Sequence, residues 1–415
     1  MKRCLVFVSG FFWVLGLAAQ DIRHVSRVVN IEIPVRVFKG DVFIEDLNLD
    51  DFEIFEDGVP QKIEAVYLVK KTNVERSQER SKFNPATVRH FYLFFELSDY
   101  DPRIGGALEH LVRNVLIPGD KLAIVTPMKT YRMKSETFEI LGPDRVISQL
   151  VGLIRRDAMV GNSLYRDTLK ELTGLSRAMA SAVSMAAQDP ANPTGQIVDF
   201  TAISSPVDPS VTVDEVLQRY ADVLERINRM RFVDQKKLLE FASHLRELDG
   251  QKAVFLFYQR EYIPKIDPKI LNTYSSLYMD RPDILQTVAG LFDFFRRESS
   301  LDVDFVKKAF AAASTSVHFL FYTRPMESVP GVIMEEQSED IYAPFIEMAQ
   351  ATGGYYDTSS NPLMLMRNAL TAAENYYLLY YTPRELTADG RFRSVEVKVR
   401  SGGYRVSHRA GYIAD

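Results

Sequence analysis

The sequence predicts an α/β fold in which an open, parallel-dominated sheet is inserted into a β-sandwich formed by the two ends of the chain. Three observations point there. Four apolar runs, at 90–97, 121–127, 253–258 and 316–322, are as continuous as strands covered on both faces require. Segments of helical spacing alternate with them, as in an open sheet with helices on both sides. The two ends show two-residue alternation with turn signals, about three strands each, too few to bury a face without a partner sheet.

The first 20 residues stand apart. Lys2 and Arg3 precede an almost unbroken apolar run over 5–19, followed by Gln20 and Asp21. This is the layout of a cleaved signal peptide, and the run is shorter than the roughly 20 residues of a membrane span. The expected location is secreted or periplasmic; the alternative is an N-terminal membrane anchor. Cys4 and Trp13, the only Cys and Trp, fall in this segment, so the mature chain relies on its core and not on disulfides. The mature chain carries 48 basic against 55 acidic residues, which argues against a nucleic-acid groove. No later apolar stretch reaches transmembrane length.

Residues 21–75 are expected to form the first half of the sandwich. Positions 31–37 alternate as a half-buried strand, with Pro34 marking an edge or bulge. Lys39-Gly40-Asp41 is a turn. Strands at 52–56 and 61–70 flank the hairpin signal Asp57-Gly58. The polar stretch 71–87, with Pro85, reads as a linker. The α/β domain, 88–374, begins with the strand at 90–97 and a helix at 104–116. The turn Pro118-Gly119-Asp120 leads into the strand at 121–127. Pro143 opens a helix to about Arg155, and another covers 164–187. Residues 189–211 hold four prolines and read as a long loop. Thr212 and Glu215 form a capping box for a helical segment reaching Leu248. After the strand at 253–258, an insertion at 261–300 carries its own helix at 284–297. A helix at 304–313, the strand at 316–322, a helix at 341–351, a short strand after Gly353-Gly354 and a helix at 362–374 complete the domain. Strands at 376–382, 392–400 and 404–408 make 375–415 the second half of the sandwich.

Several motifs together resemble one family. The strand pair from Val35 to Gln61, containing D-F-E-I-F-E-D-G, the Pro118-Gly119-Asp120 turn and AQATGGY at 349–355 all match it. So do YLLYYTP at 377–383, D-G-R-F-R at 389–393 and H-R-A-G-Y at 408–412. In this order they are similar to the bacterial, acidobacterial-type proteins with a von Willebrand factor A-related domain, over residues 25–415 apart from the two insertions. The resemblance implies a Rossmann-like domain that binds a protein or other ligand at the top of its sheet, often through a metal-ion-dependent adhesion site of pattern D-x-S-x-S. Here Glu96 replaces the first Asp, Ser98 is kept and Tyr100 replaces the second Ser. Asn162 or Ser163 stands where Thr is expected, and Gln259-Arg260 brings a guanidinium in place of a carboxylate. A hard cation needs several oxygen ligands, and an arginine would compete for them. The implied site is therefore degenerate and metal-free.

The candidate ligand-binding set at the top face is Glu96, Ser98, Asp99, Tyr100, Asn162, Ser163, Gln259, Arg260 and Tyr262. Arg260 is expected to replace the cation and pair with Glu96 or Asp99. The alternative is a cation-dependent adhesin that binds weak Mg2+ or Ca2+ through Glu96, Ser98, Asp99 and Asp101. Asp46-x-Asn48-x-Asp50 lacks the Gly and Glu of a calcium loop and reads as a solvated turn. No nucleophile elbow, phosphate loop or H-E-x-x-H occurs, and the six histidines lack metal spacing, so no enzyme activity or cofactor is expected. Tyr262, Ile263, Tyr274, Tyr278 and Met279 give the 261–300 insertion either a partner-binding surface or a lid packed on its own domain. The expected function is an exported, non-catalytic interaction module with a protein partner.

Overall fold

The structure is a computed structural model that describes residues 30–188, 213–231, 233–294, 301–325, 332–384 and 387–414. The expected signal segment, the proline-rich loop and Thr212 of the capping box lie outside them.

In chain order, β1 (Ile31–Lys39), β2 (Val42–Phe43), β3 (Phe52–Glu56), β4 (Val59–Gln61), β5 (Ile63–Lys70) and β6 (Asn73–Glu79) come first. The central region holds β7 (Arg89–Glu96), α1 (Ile104–His110), β8 (Lys121–Val125), β9 (Thr130–Met133), α2 (Ser135–Gly161), α3 (Ser163–Gln188), α4 (Val213–Met230) and α5 (Gln235–Arg246). It continues with β10 (Gln251–Gln259), β11 (Tyr262–Lys265), α6 (Pro268–Leu277), α7 (Pro282–Phe294), α8 (Val303–Ala312), β12 (Thr315–Tyr322), β13 (Ile333–Glu336), α9 (Glu339–Ala351), β14 (Tyr356–Ser359) and α10 (Pro362–Glu374). The chain closes with β15 (Asn375–Tyr381), β16 (Phe392–Val399), β17 (Arg405–His408) and β18 (Gly411–Ile413).

The expected parallel-dominated, Rossmann-like von Willebrand factor A-type architecture is not what these strands form. Of the fourteen strand pairings among the described residues, ten are antiparallel and four parallel. The parallel pairs are confined to one mixed sheet, ordered β14-β12-β10-β7-β8-β9, whose last strand is antiparallel. A second six-stranded sheet, with the path β17-β1-β15-β5-β6, is antiparallel and curls into half a barrel. Four strands, β18-β16-β3-β4, form a third sheet, and β11 pairs with β13. Several of the antiparallel strands, β6, β9, β11 and β13 among them, lie where the sequence predicts none. The stretch read as a linker contains β6, whose sequence NVERSQE has no apolar alternation and which pairs along β5.

Alternation decides which core each side chain joins. Tyr377 and Tyr381 on β15 point into the core between the curled sheet and the β3–β16 sheet, with Ile33, Val35, Ile54 and Val397. Tyr376 and Tyr380 point to the opposite face, with Ala65, Tyr67 and Val69. In the mixed sheet, Leu93, Phe95 and Phe257 pack with α1, α2 and α10, whereas Val254, Phe319 and Phe321 pack with α5, α8 and α9. A separate helical core joins α3, α4, α6, α7 and β11 through Tyr165, Leu172, Tyr220, Ile263, Leu271, Tyr274 and Ile284. Much of the 261–300 insertion therefore packs on its own chain.

Backbone demands explain two motifs. Asp57 and Gly58 both adopt positive φ (47° and 80°), as the β3–β4 hairpin turn requires. At the T-G-G corner, a Cβ on Gly354 would lie 1.8 Å from the Val317 carbonyl oxygen. α2 includes a break at Gly142 (φ 71°), immediately before Pro143, so a helix does start at that proline but extends to Gly161. Among the described residues no helix is long and apolar enough to cross a membrane.

Candidate functional site

The carboxyl ends of β7, β8, β10, β12 and β14 meet at one edge of the mixed sheet, because parallel register aligns Glu96 with Tyr258, Tyr258 with Phe321, and Gln259 with Tyr322. The loop after β7 is held there by hydrogen bonds to other elements. Asn162 Nδ2 donates to the Leu97 carbonyl at 2.7 Å, and Arg166 Nη1 donates to the Ser98 carbonyl at 3.2 Å. The Asp99 amide donates to Gln259 Oε1 at 3.2 Å. The Ser163 hydroxyl turns back to the Val160 carbonyl. Tyr100 packs against the sheet core, and burial pushes its phenol up.

The acids of this edge take different partners. Asp99 Oδ2 accepts from Arg324 Nη1 at 2.6 Å. Asp101, 5% exposed, accepts from Arg103 Nη2 at 2.9 Å and from the Tyr322 hydroxyl. Burial alone would push the Asp101 carboxyl up. Hydrogen bonds from Arg103 and Tyr322 outweigh it and hold the group at about 2. Among the described residues no three His, Cys, Asp or Glu side chains converge as a metal site.

Arg260 does not pair with Glu96 or Asp99, which overturns that expectation. Its amide donates to the Tyr322 carbonyl at 2.8 Å, its guanidinium lies 4.8 Å from the Phe321 ring centre, and its buried Nε has no partner among the described residues. The cation that reaches Asp99 is Arg324, from the segment after β12. Tyr262 starts β11, opposite Glu336, and belongs to the insertion and not to the Asp99 network.

Glu96 is water-accessible, yet desolvation pushes its carboxyl up, with the Glu261 charge adding to the effect. Its surroundings include Tyr258, whose phenol is raised by burial and by Glu261, and Tyr165, which bonds Glu261. Arg231 pairs with Glu261, whereas Glu96 has no ion-pair or hydrogen-bond partner among the described residues.

Sequence reasoning missed a group of exposed apolar side chains near the loop after β7. Met159 (41% exposed), Val160 (54%) and Leu164 (63%) flank Gly161 in sequence, and Met128 (49%) lies against it, within 3.1 Å of an added Cβ. The β8–β9 tip that carries Met128 is tied to α2 by buried Asp157, which accepts from Thr126 Oγ1 at 2.8 Å and the Tyr131 hydroxyl at 2.6 Å. The available signal was the spacing M-V-G-N-S-L at the junction of two helices, where three large apolar residues could not all point inward.

No family model and no curated protein matches the chain. Among solved structures, it is similar to the human COPII-coat protein Sec24c at 9% identity, over 80% of this chain and 44% of that one, with a TM-score of 0.27. The chain thus spans less than half of that protein, and a likeness this weak carries no argument about fold or function.

Proposed function

We propose that this chain is an exported, non-catalytic interaction module whose protein partner docks at the carboxyl edge of the mixed sheet. The observation that carries the reading is the exposed quartet Met128, Met159, Val160 and Leu164. Exposed apolar side chains grouped near one sheet edge are a mark of interaction sites, and Met is enriched in them. The adjacent Glu96 carboxylate favours a partner with a basic side chain beside its apolar anchor. The polar groups fit binding better than covalent chemistry: Ser163 donates to a carbonyl and not to a base, while Asp99 and Asp101 are engaged by arginines.

A photo-cross-linking amino acid placed at Leu164, in the full chain in its native host, tests the proposal. Val42, 68% exposed on the curled sheet, is the control position. The expected result is one discrete protein adduct at Leu164, absent at Val42 and lost when Met159→Asp is added. No adduct at Leu164, or the same adduct from both positions, overturns the proposal.

A further inference from the structure

The opposite end of the mixed sheet, where the amino ends of β7 and β10 meet β1, holds a cavity of about 20 Å3. That is room for one occupant of ion or water size. Its walls include Arg36, Arg89, His90 and Lys252, each at most 6% exposed, with Glu374 as the acid. Arg89 is neutralised by Asp120, at 2.9 Å from Nε to Oδ1. Glu374 also faces Lys71 at 3.9 Å. Lys252 Nζ donates to the Leu248 carbonyl at 2.7 Å. Arg36 has only a 3.4 Å contact from Nη1 to the Gly353 carbonyl, and no carboxylate pairs with it among the described residues.

One buried donor of the cavity wall, Arg36 Nε, has no hydrogen-bond partner among the described residues, and three further buried polar atoms without one, Arg409 Nε, Tyr376 Oη and His318 Nε2, belong to residues outside that wall. His318 Nδ1 accepts from the Tyr355 amide at 3.1 Å, which places the proton of the neutral ring on Nε2. Arg36 is the common neighbour: its guanidinium lies 6.0 Å from the Tyr376 ring centre, and its charge holds His318 down, secondary to burial. Buried donors and an unpaired buried guanidinium each cost free energy that an acceptor would recover. Water could accept from two of them but would leave the charge uncompensated.

We propose that this cavity binds one small monovalent anion of chloride size, held by Arg36 with Lys252 and joining the curled sheet to the mixed sheet. A volume of that size suits a monatomic ion. The anion is a structural ligand, remote from the Met128–Leu164 surface and independent of any partner there.

The test uses the full mature chain. Its melting temperature is measured in sodium chloride and in sodium gluconate at equal ionic strength. Crystals soaked in bromide are examined for anomalous scattering. The expected result is a melting temperature that rises by a few degrees with chloride and saturates, together with a bromide peak in contact with Arg36. Arg36→Met, which removes the charge and keeps the bulk, should abolish the chloride dependence. Should that variant fail to fold, the bromide peak in the wild type decides. A water in the bromide position, equal stability in the two salts, or chloride dependence surviving in a folded Arg36→Met overturns the proposal.

Discussion

Replacing Asp101 with Asn probes how firmly the loop after β7 is fixed by protein cations. The side chain is nearly the same size and mimics the protonated acid, so the substitution removes charge with little change of packing. The carboxyl is held at about 2, against 3.8 when unperturbed. That difference corresponds to at most about 2.5 kcal/mol at neutral pH. Arg103 is 51% exposed, so solvent screening reduces the figure to about 1–2 kcal/mol. The direction follows from the lowered value: the contribution is complete above 3.8 and is lost as pH falls toward 2. Urea unfolding at a series of pH values should show Asp101→Asn less stable by about 1–2 kcal/mol at pH 7, with the gap closing through that acid window. High salt should reduce the part due to Arg103 and spare the Tyr322 hydrogen bond, which is buried. A deficit independent of pH, or no deficit at pH 7, would refute the reasoning.

Other perturbations follow from the same geometry. Asp120→Ala removes the partner of Arg89, 6% exposed, and should cost about 3–5 kcal/mol in urea unfolding; a loss below about 1 kcal/mol would show that the pair is dispensable. Gly354→Ala places a methyl 1.8 Å from the Val317 carbonyl oxygen on β12 of the mixed sheet. It should cost several kcal/mol, whereas Gly402→Ala, which meets nothing within 4 Å, should leave the melting temperature nearly unchanged.

What could be read from the sequence was local. The strands β7, β8, β10 and β12 announced themselves because residues such as Leu93, Phe257 and Phe319 are buried on both faces of one sheet. Asp57-Gly58 located its hairpin through its positive φ. The overall architecture was not legible, because part of the antiparallel pairing was carried by strands with little apolar signal. β6 is a polar edge strand, β9 returns through a four-residue tip at 126–129, and β11 finds β13 about seventy residues away. The candidate edge was readable as a place, since Ser98, Asp99, Asn162 and Gln259 all follow strand or helix ends and do share one hydrogen-bonded web. Its pairings were not. Arg324 lies 225 positions from Asp99, a separation that no spacing rule spans. Arg260, the nearer cation in sequence, is directed onto Phe321 by the backbone bond to Tyr322.

The most direct test of the docking proposal uses the partner identified through the Leu164 adduct, titrated calorimetrically into the full chain with and without excess EDTA. The affinity should be the same in both conditions, and should fall by about tenfold or more in Met159→Asp, the cost of losing a central apolar contact. Binding that disappears with EDTA and is indifferent to Met159→Asp would contradict the proposal, and would place recognition on a bound cation instead of the apolar edge.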